Sequence, residues 1–331
     1  MRCTVLALPN YLKKHINMKV LVTGAAGFIG SHCAERLKKL NFDVVGIDNF
    51  SPYYSPDLKD RNAKDLKEAG IPMEMVDLRE PKDFEKLPTD FNYIFHFAAQ
   101  PGIAATSSFE DYLMNNLVAT KNLIDFALQC EGLKLFTNIS TSSIYGLRAT
   151  LTEDAAPEPA SFYGVTKLAA EQIVLSKTRE QKMKTCSLRL FSVYGPRERP
   201  EKLYTKLIGC GFFHHEFPLF EGSEAHVRSF TFVDDIIDGV VSVIGKEAIV
   251  DGEVINLGTE QEHTTGEGIA IVEELLDTQI RKDIVPRRGG DQMFTKANID
   301  KARRLLDYNP STTLKEGLQK QIDWYKKEFV D

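Results

Sequence analysis

The sequence predicts an α/β protein: a doubly wound parallel sheet with a smaller C-terminal lobe laid over its carboxyl edge. Three observations carry this. Short apolar, β-branched runs alternate with helical stretches from residue 18 to about residue 190. A glycine triplet, "GAAGFIG", joins the first strand to the first helix. Beyond about residue 191 the alternation breaks into loops rich in Pro, Phe and charge.

The elements follow in order. "KVLVTG" has no polar alternation and reads as a strand buried on both faces. "FIGSHCAERLKKL" spaces Phe28, Ile29, Cys33, Leu37 and Leu40 as a helix does. "DVVGID", "MEMVDL" and "YIFHFAA" are the next three strands. "YLMNNLVATKNLIDFALQC" is a long helix, "KLFTNIS" a fifth strand, "SFYGVTKLAAEQIVLSKTREQK" a second long helix and "TCSLRL" a sixth strand. "VINLG" is expected to return to the sheet. The expected division is a sheet domain of residues 18–190 with 229–258, and a smaller lobe of 191–228 with 259–331. No repeat or low-complexity linker interrupts the chain.

Bulk properties narrow the function. The chain has 331 residues and a formal net charge of -6, with Lys and Arg interleaved among Asp and Glu, so no nucleic-acid surface is expected. Cys3, Cys33, Cys130, Cys186 and Cys210 are widely spaced and never form a Cys-x-x-Cys pair, which fits reduced thiols in a cytoplasmic protein. No apolar run approaches the ~18 residues of a membrane helix. "MRCTVLALPNYLKKHIN" has too short an apolar stretch for a secretion signal and is read as a non-core extension, residues 1–17. His214 and His215 are adjacent and lack a carboxylate at metal-ligand spacing, so no metal is expected.

Two motifs carry chemistry. Gly24, Gly27 and Gly30 stand at three-residue spacing between a strand and a helix. Such a turn lets backbone approach a pyrophosphate at a helix N-terminus and lets the helix pack closely on the sheet. Alone, a glycine triplet could be a turn that binds nothing. Here Asp48 ends the second strand, where a carboxylate accepts from an adenosine ribose and repels a 2'-phosphate. No Arg follows in "DNFSPYY", so NAD is preferred over NADP. The second motif is "YGVTK", with Tyr163 and Lys167 on one helix face. A phenol titrates near 10, and bringing it to about 7 takes roughly 4 kcal/mol, which Lys167 and an oxidised nicotinamide could supply together. By spacing alone, the pair is also common on exposed helices.

The glycine turn, a Ser/Thr run ending the fifth strand ("STSSIYG") and Tyr-x-x-x-Lys together resemble the extended short-chain dehydrogenase/reductase family. "HFAAQ", "NN" (Asn115, Asn116), "VYGPR", "RSFTFVDDI" and "KARRLLDYNP" are similar, in order, to its NAD-dependent nucleotide-sugar epimerase/dehydratase branch. The resemblance spans about residues 18–330 and implies a Rossmann sheet, NAD as cofactor and a UDP-sugar substrate. It implies cofactor contacts from Gly24, Gly27, Phe28, Ile29, Gly30, Asp48, Asn49, Asp77, Leu78, Phe97, Ala98, Ala99, Gln100, Asn115, Tyr163, Lys167 and Val193. It implies Thr141, Tyr163 and Lys167 as catalytic residues, and a homodimer through the long helices around 107–129 and 161–183.

The same resemblance narrows the reaction. Dehydratases of this branch carry Asp and Glu after the threonine, as elimination requires. This chain has Ser142 and Ser143, which favours transient oxidation at C4 with return of the same hydride, a 4-epimerase. "DNFSPYYSPDLKDRNAKDL" and "LFSVYGPRERPEKL" most resemble UDP-glucuronate 4-epimerases. That implies Arg199 for the sugar carboxylate, Ser192 beside the sugar, and Arg228, Arg288 and Asp291 on the diphosphate and ribose. An Arg usual after "AAQ" in that group is missing from "PGIAATSS". A UDP-glucose or UDP-N-acetylglucosamine 4-epimerase stays open, as do a reductase and a non-catalytic NAD-binding module. The implied setting is carbohydrate metabolism, including polysaccharide biosynthesis.

Overall fold

The computed structural model describes residues 18–102, 107–147, 149–286 and 294–331. The extension at residues 1–17 lies outside them.

The sheet is built from β1 (Lys19–Thr23), β2 (Asp43–Asp48), β3 (Met73–Met75), β4 (Tyr93–His96), β5 (Leu135–Thr141) and β6 (Thr185–Leu190). The lobe carries β7 (Val193–Tyr194), β8 (Phe217–Phe220), β9 (Val227–Arg228) and β10 (Thr231–Phe232). The chain returns with β11 (Val254–Leu257) and ends with β12 (His263–Thr264), β13 (Lys282–Val285) and β14 (Phe294–Thr295). The helices are α1 (Phe28–Lys39), α2 (Pro56–Glu68), α3 (Phe109–Tyr112), α4 (Ala119–Ala127) and α5 (Phe162–Arg179). They continue with α6 (Leu203–Phe213), α7 (Val233–Val241), α8 (Thr265–Leu276), α9 (Asp300–Leu306) and α10 (Leu314–Phe329).

Seven parallel strands lie in the order β11-β6-β5-β4-β1-β2-β3. The chain runs outward from β1 to β3, then crosses to β4 on the other side of β1. That reversal opens a crevice beyond the carboxyl ends of β1 and β4, where open α/β sheets bind their ligands. β11 pairs with β6, in the place expected for "VINLG". Alternate residues of β1 serve two cores: Val20 and Val22 pack on one face, Leu21 on the other. The apolar cluster around Val20 continues without a break to Leu318 on α10, so the lobe is packed on the sheet.

Three elements differ from expectation. α2 is a helix that no sequence pattern announces. It is mostly charged, and its buried face is only Lys59, Asn62, Ala63 and Leu66, too narrow and polar for an apolar stripe. β3 covers half of "MEMVDL": Val76 N still bonds Asp48 O, but Asp77 N turns to the Asp83 side chain. The first long helix is interrupted. α3 passes into a π-helical stretch, Leu113–Val118, before α4 resumes. Such stretches are rare and often mark functional sites.

Candidate active site

The glycine turn forms the crevice wall. Gly24 has φ +66, and a Cβ there would lie 2.8 Å from Ala98 N; a Cβ on Gly30 would lie 2.2 Å from Gly24 O. Only glycine lets β1, the turn and α1 come this close. Gly27 is the N-cap of α1, and no side chain caps the helix among the described residues. Its first amides, at Phe28 and Ile29, are therefore directed to the crevice, with a positive helix end behind them.

Asp48, 7% exposed, ends β2 beside this turn. Its carboxylate accepts from Ala26 N (3.2 Å) and Phe50 N (2.8 Å). The Lys59 ammonium stands 3.7 Å away, and Asn62 Nδ2 donates to Ala26 O at 2.9 Å. Asn49 Nδ2 donates to Asp77 Oδ2 at 3.3 Å. Burial opposes ionisation of Asp77, yet hydrogen bonds from Arg79 and Asn49 hold its carboxyl below the usual range. Leu78 is buried beside it. A glycine turn at a helix N-terminus with no capping side chain among the described residues, flanked by a fixed carboxylate, suits a dinucleotide. Asp48 would meet its ribose and Gly24 to Gly30 its pyrophosphate.

Threonine and asparagine side chains hold the crevice floor. Thr23 O accepts from Phe97 N at 3.2 Å, and Thr23 Oγ1 accepts from Ala98 N at 3.1 Å. His96, fully buried, bridges Thr23 and Thr120 at 2.8 and 2.9 Å. Burial and the Lys167 charge push its pKa down to about 3, so it stays neutral. Asn116, 1% exposed on the π-helical stretch, clips the next segment. Its Oδ1 accepts from Gln100 N (2.8 Å), and its Nδ2 donates to Gln100 O (3.3 Å) and Thr166 Oγ1 (3.1 Å). Ala99 lies between these two anchored points. Asn115 instead donates to Asp111 O of its own helix at 2.8 Å.

"STSSIYG" is a strand end and a 3-10 turn. Thr141 closes β5 and caps the turn Ser142–Tyr145 by accepting from Ser143 N at 3.1 Å. Ser161 caps α5 by accepting from Gly164 N at 3.1 Å, which fixes Tyr163 on the first turn and Lys167 on the next. The Thr141 hydroxyl hydrogen-bonds the half-buried Tyr163 phenol, and Ser142 and Ser143 lie half-buried alongside. Lys167, 3% exposed, donates to Ile139 O at 2.6 Å. Burial lowers its pKa to about 8 against the pull of Glu171, so most of it is protonated at pH 7. The spacing predicts that Lys167 pulls the phenol down. In the folded site burial dominates and raises the Tyr163 pKa, while the Thr141 hydrogen bond and the Arg199 charge pull it down. Tyr163 is therefore an acid in these protein surroundings, and a positive nicotinamide would supply the remaining pull.

The lobe brings further side chains to this phenol. Arg199, 9% exposed, packs its guanidinium over the Tyr53 ring (5.6 Å) and pairs with Glu201 at 2.9 Å. Its loop is fixed on both sides. Arg197 reaches Glu35 on α1 (2.7 Å) and Asp65 on α2 (2.9 Å). Glu198 accepts from Thr205 (2.9 Å) and from Gln321 on α10 (3.0 Å). Ser192 and Val193 are half-buried at the strand end, with Ser192 O accepting from Thr231 N at 2.8 Å. Arg228, on β9, is paired with His263 across the small sheet. Arg288 and Asp291 lie outside the described residues. Tyr53, Lys59 and Asn116 join the site without being marked as site residues by the sequence. Asn116 leaves a trace there as half of the "NN" pair.

A Rossmann sheet with this glycine turn, and Thr, Tyr and Lys set at its carboxyl edge, defines a nucleotide-dependent oxidoreductase-like site. The model of the NAD dependent epimerase/dehydratase family matches residues 20–258, and the chain belongs to that family. It is 32% identical to UDP-glucuronate 4-epimerase 3 of Arabidopsis thaliana, covering 95% of this chain and 78% of that protein. It is 33% identical to the uncharacterized UDP-glucose epimerase YtcB of Bacillus subtilis, covering 92% and 97%. In structure it is similar to the UDP-glucuronic acid 4-epimerase of Bacillus cereus in complex with UDP-glucuronic acid and NAD. The TM-score is 0.87 at 33% identity, covering 94% of this chain and 100% of that one.

Proposed function

We propose that the protein is an NAD-dependent 4-epimerase that interconverts UDP-glucuronate and UDP-galacturonate. The observation that carries the reading is Arg199: a nearly buried guanidinium beside the catalytic phenol suits a sugar carboxylate. The epimerases of A. thaliana and B. cereus named above support it. YtcB supports the alternative, a neutral UDP-glucose substrate.

The chain's own groups fit the task. NAD, held by the glycine turn and Asp48, would supply reversible hydride chemistry at C4 of the sugar. Tyr163 takes the 4-hydroxyl proton and gives it back, and Thr141 orients the phenol and the hydroxyl. Lys167 is a buried cation one turn further along the same helix, its ammonium donating to Ile139 O, and it is assigned to the cofactor ribose. Ser142 and Ser143 line the floor, and neither carries the carboxyl group that elimination would use. Ser192, Arg228, Arg288 and Asp291 are assigned to the nucleotide-sugar. Residues 18–190 with 229–258 hold the cofactor, and 191–228 with 259–331 hold the sugar nucleotide.

The test is to incubate the purified protein separately with UDP-glucuronate, UDP-glucose and UDP-N-acetylglucosamine. UDP-glucuronate should be converted fastest, to a product of identical mass. A product lighter by one water or by carbon dioxide would overturn the reading of Ser142 and Ser143.

The working form is a homodimer in the cytoplasm. Supporting the dimer, Phe109, Met114, Phe162 and Val165 are 38%, 39%, 56% and 44% exposed on the two long helical stretches. The Phe109 and Phe162 rings meet at 5.2 Å, making one apolar patch. Phe162→Glu should convert dimer to monomer in sedimentation; a wild-type monomer would refute the pairing. Supporting the compartment, Cys33, Cys130, Cys186 and Cys210 are buried free thiols, and no described helix is long and apolar enough to cross a membrane. An activated uronic acid is a donor that polysaccharide biosynthesis can use.

A further inference from the structure

We propose that Glu201 acts as an internal stand-in for the substrate carboxylate: it pairs with Arg199 and is displaced when an acidic sugar binds. The proposal rests on the assignment of Arg199 to the sugar. It adds a positioning residue that sets how strongly the site prefers acidic over neutral sugars.

The surroundings of Arg199 carry the argument. The guanidinium is nearly buried, and such a charge needs a partner. Glu201 supplies one: its Oε1 lies 2.9 Å from Nη1. The two side chains differ in burial. Arg199 is 10% exposed and Glu201 is 52% exposed, so the carboxylate reaches in from solvent and can swing back to it. The contact is also incomplete. Nη1 is enclosed but makes no aligned hydrogen bond among the described residues. Arg199 is thus neutralised by charge while part of its donor fork stays unsatisfied. A substrate carboxylate could take both prongs and would replace one negative partner by another. The Tyr53 ring, its centroid 5.6 Å from the guanidinium carbon, gives the arginine a cation–π contact that does not depend on Glu201. A neutral sugar has no group to displace Glu201, so it meets an arginine whose charge is already balanced.

The test is Glu201→Gln, with Glu201→Ala as a second variant, both at an exposed position that folding tolerates. Dissociation constants for UDP-glucuronate and UDP-glucose are measured by titration calorimetry on the NAD-loaded protein, together with KM and kcat. Removing the competing charge should tighten UDP-glucuronate about 1.5- to fivefold, the scale of a half-exposed ion pair, and lower its KM with kcat held. UDP-glucose should bind as before. A merely structural role would move both sugars together. Unchanged or weaker UDP-glucuronate binding in both variants would overturn the proposal. Failure of the wild type to convert UDP-glucuronate would instead overturn the substrate assignment, and the binding contrast between variants would still decide the role of Glu201.

Discussion

Tyr163→Phe is expected to lower turnover at least ~100-fold while NAD remains bound, the scale of general acid-base catalysis. The substitution keeps the ring and removes only the proton that must leave and return. Tyr163 sits on the first turn of α5, whose cap is Ser161, so the backbone should not move. The neighbouring ring of Tyr112, 6.2 Å away, keeps its contact. The pyrophosphate and adenosine-ribose contacts proposed for the glycine turn and Asp48 do not use the phenol oxygen. Mass spectrometry of denatured wild type and variant should therefore release NAD from both, and no NADP, because Asp48 repels a 2'-phosphate. Near-normal turnover in the variant would refute Tyr163 as the acid/base group. NADP in place of NAD would refute the ribose role of Asp48.

Arg199→Ala should abolish the preference for the acidic sugar. Loss of a charge-assisted bidentate pair removes roughly 2–4 kcal/mol of transition-state binding, or about 30- to 900-fold in kcat/KM for UDP-glucuronate. A neutral sugar should be scarcely affected. The two sugars act as each other's control, since a loop collapse would slow both. The loop has independent anchors against collapse: Arg197 to Glu35 and Asp65, and Glu198 to Thr205 and Gln321. Burial raises the pKa of Glu198 to about 7. If wild type converts UDP-glucose faster than UDP-glucuronate, Arg199 does not read a carboxylate.

The sequence by itself determined the sheet, the glycine turn and the placing of Tyr163 and Lys167 on one helix face. These are local patterns: β-branched runs, glycine spacing, and residues four apart on one helix. Each is decided within a few residues of chain, so each is legible before folding. Asp48 was legible for the same reason, as the polar end of an apolar strand.

Only the tertiary structure decided who stands beside these groups. Lys59 reaches Asp48 from α2, a helix too polar to announce itself by an apolar stripe. Asn116, not its neighbour, clips Gln100, because the π-helical stretch rotates that one amide inward. Tyr53 and Arg199 are far apart in sequence and stack when the lobe packs on the sheet. The same packing sets the protonation balance. Spacing placed Lys167 near Tyr163, but the ammonium is directed at Ile139 O, and burial, not charge, governs the phenol. Desolvation and long-range contact belong to the whole fold, and no local run of residues carries them.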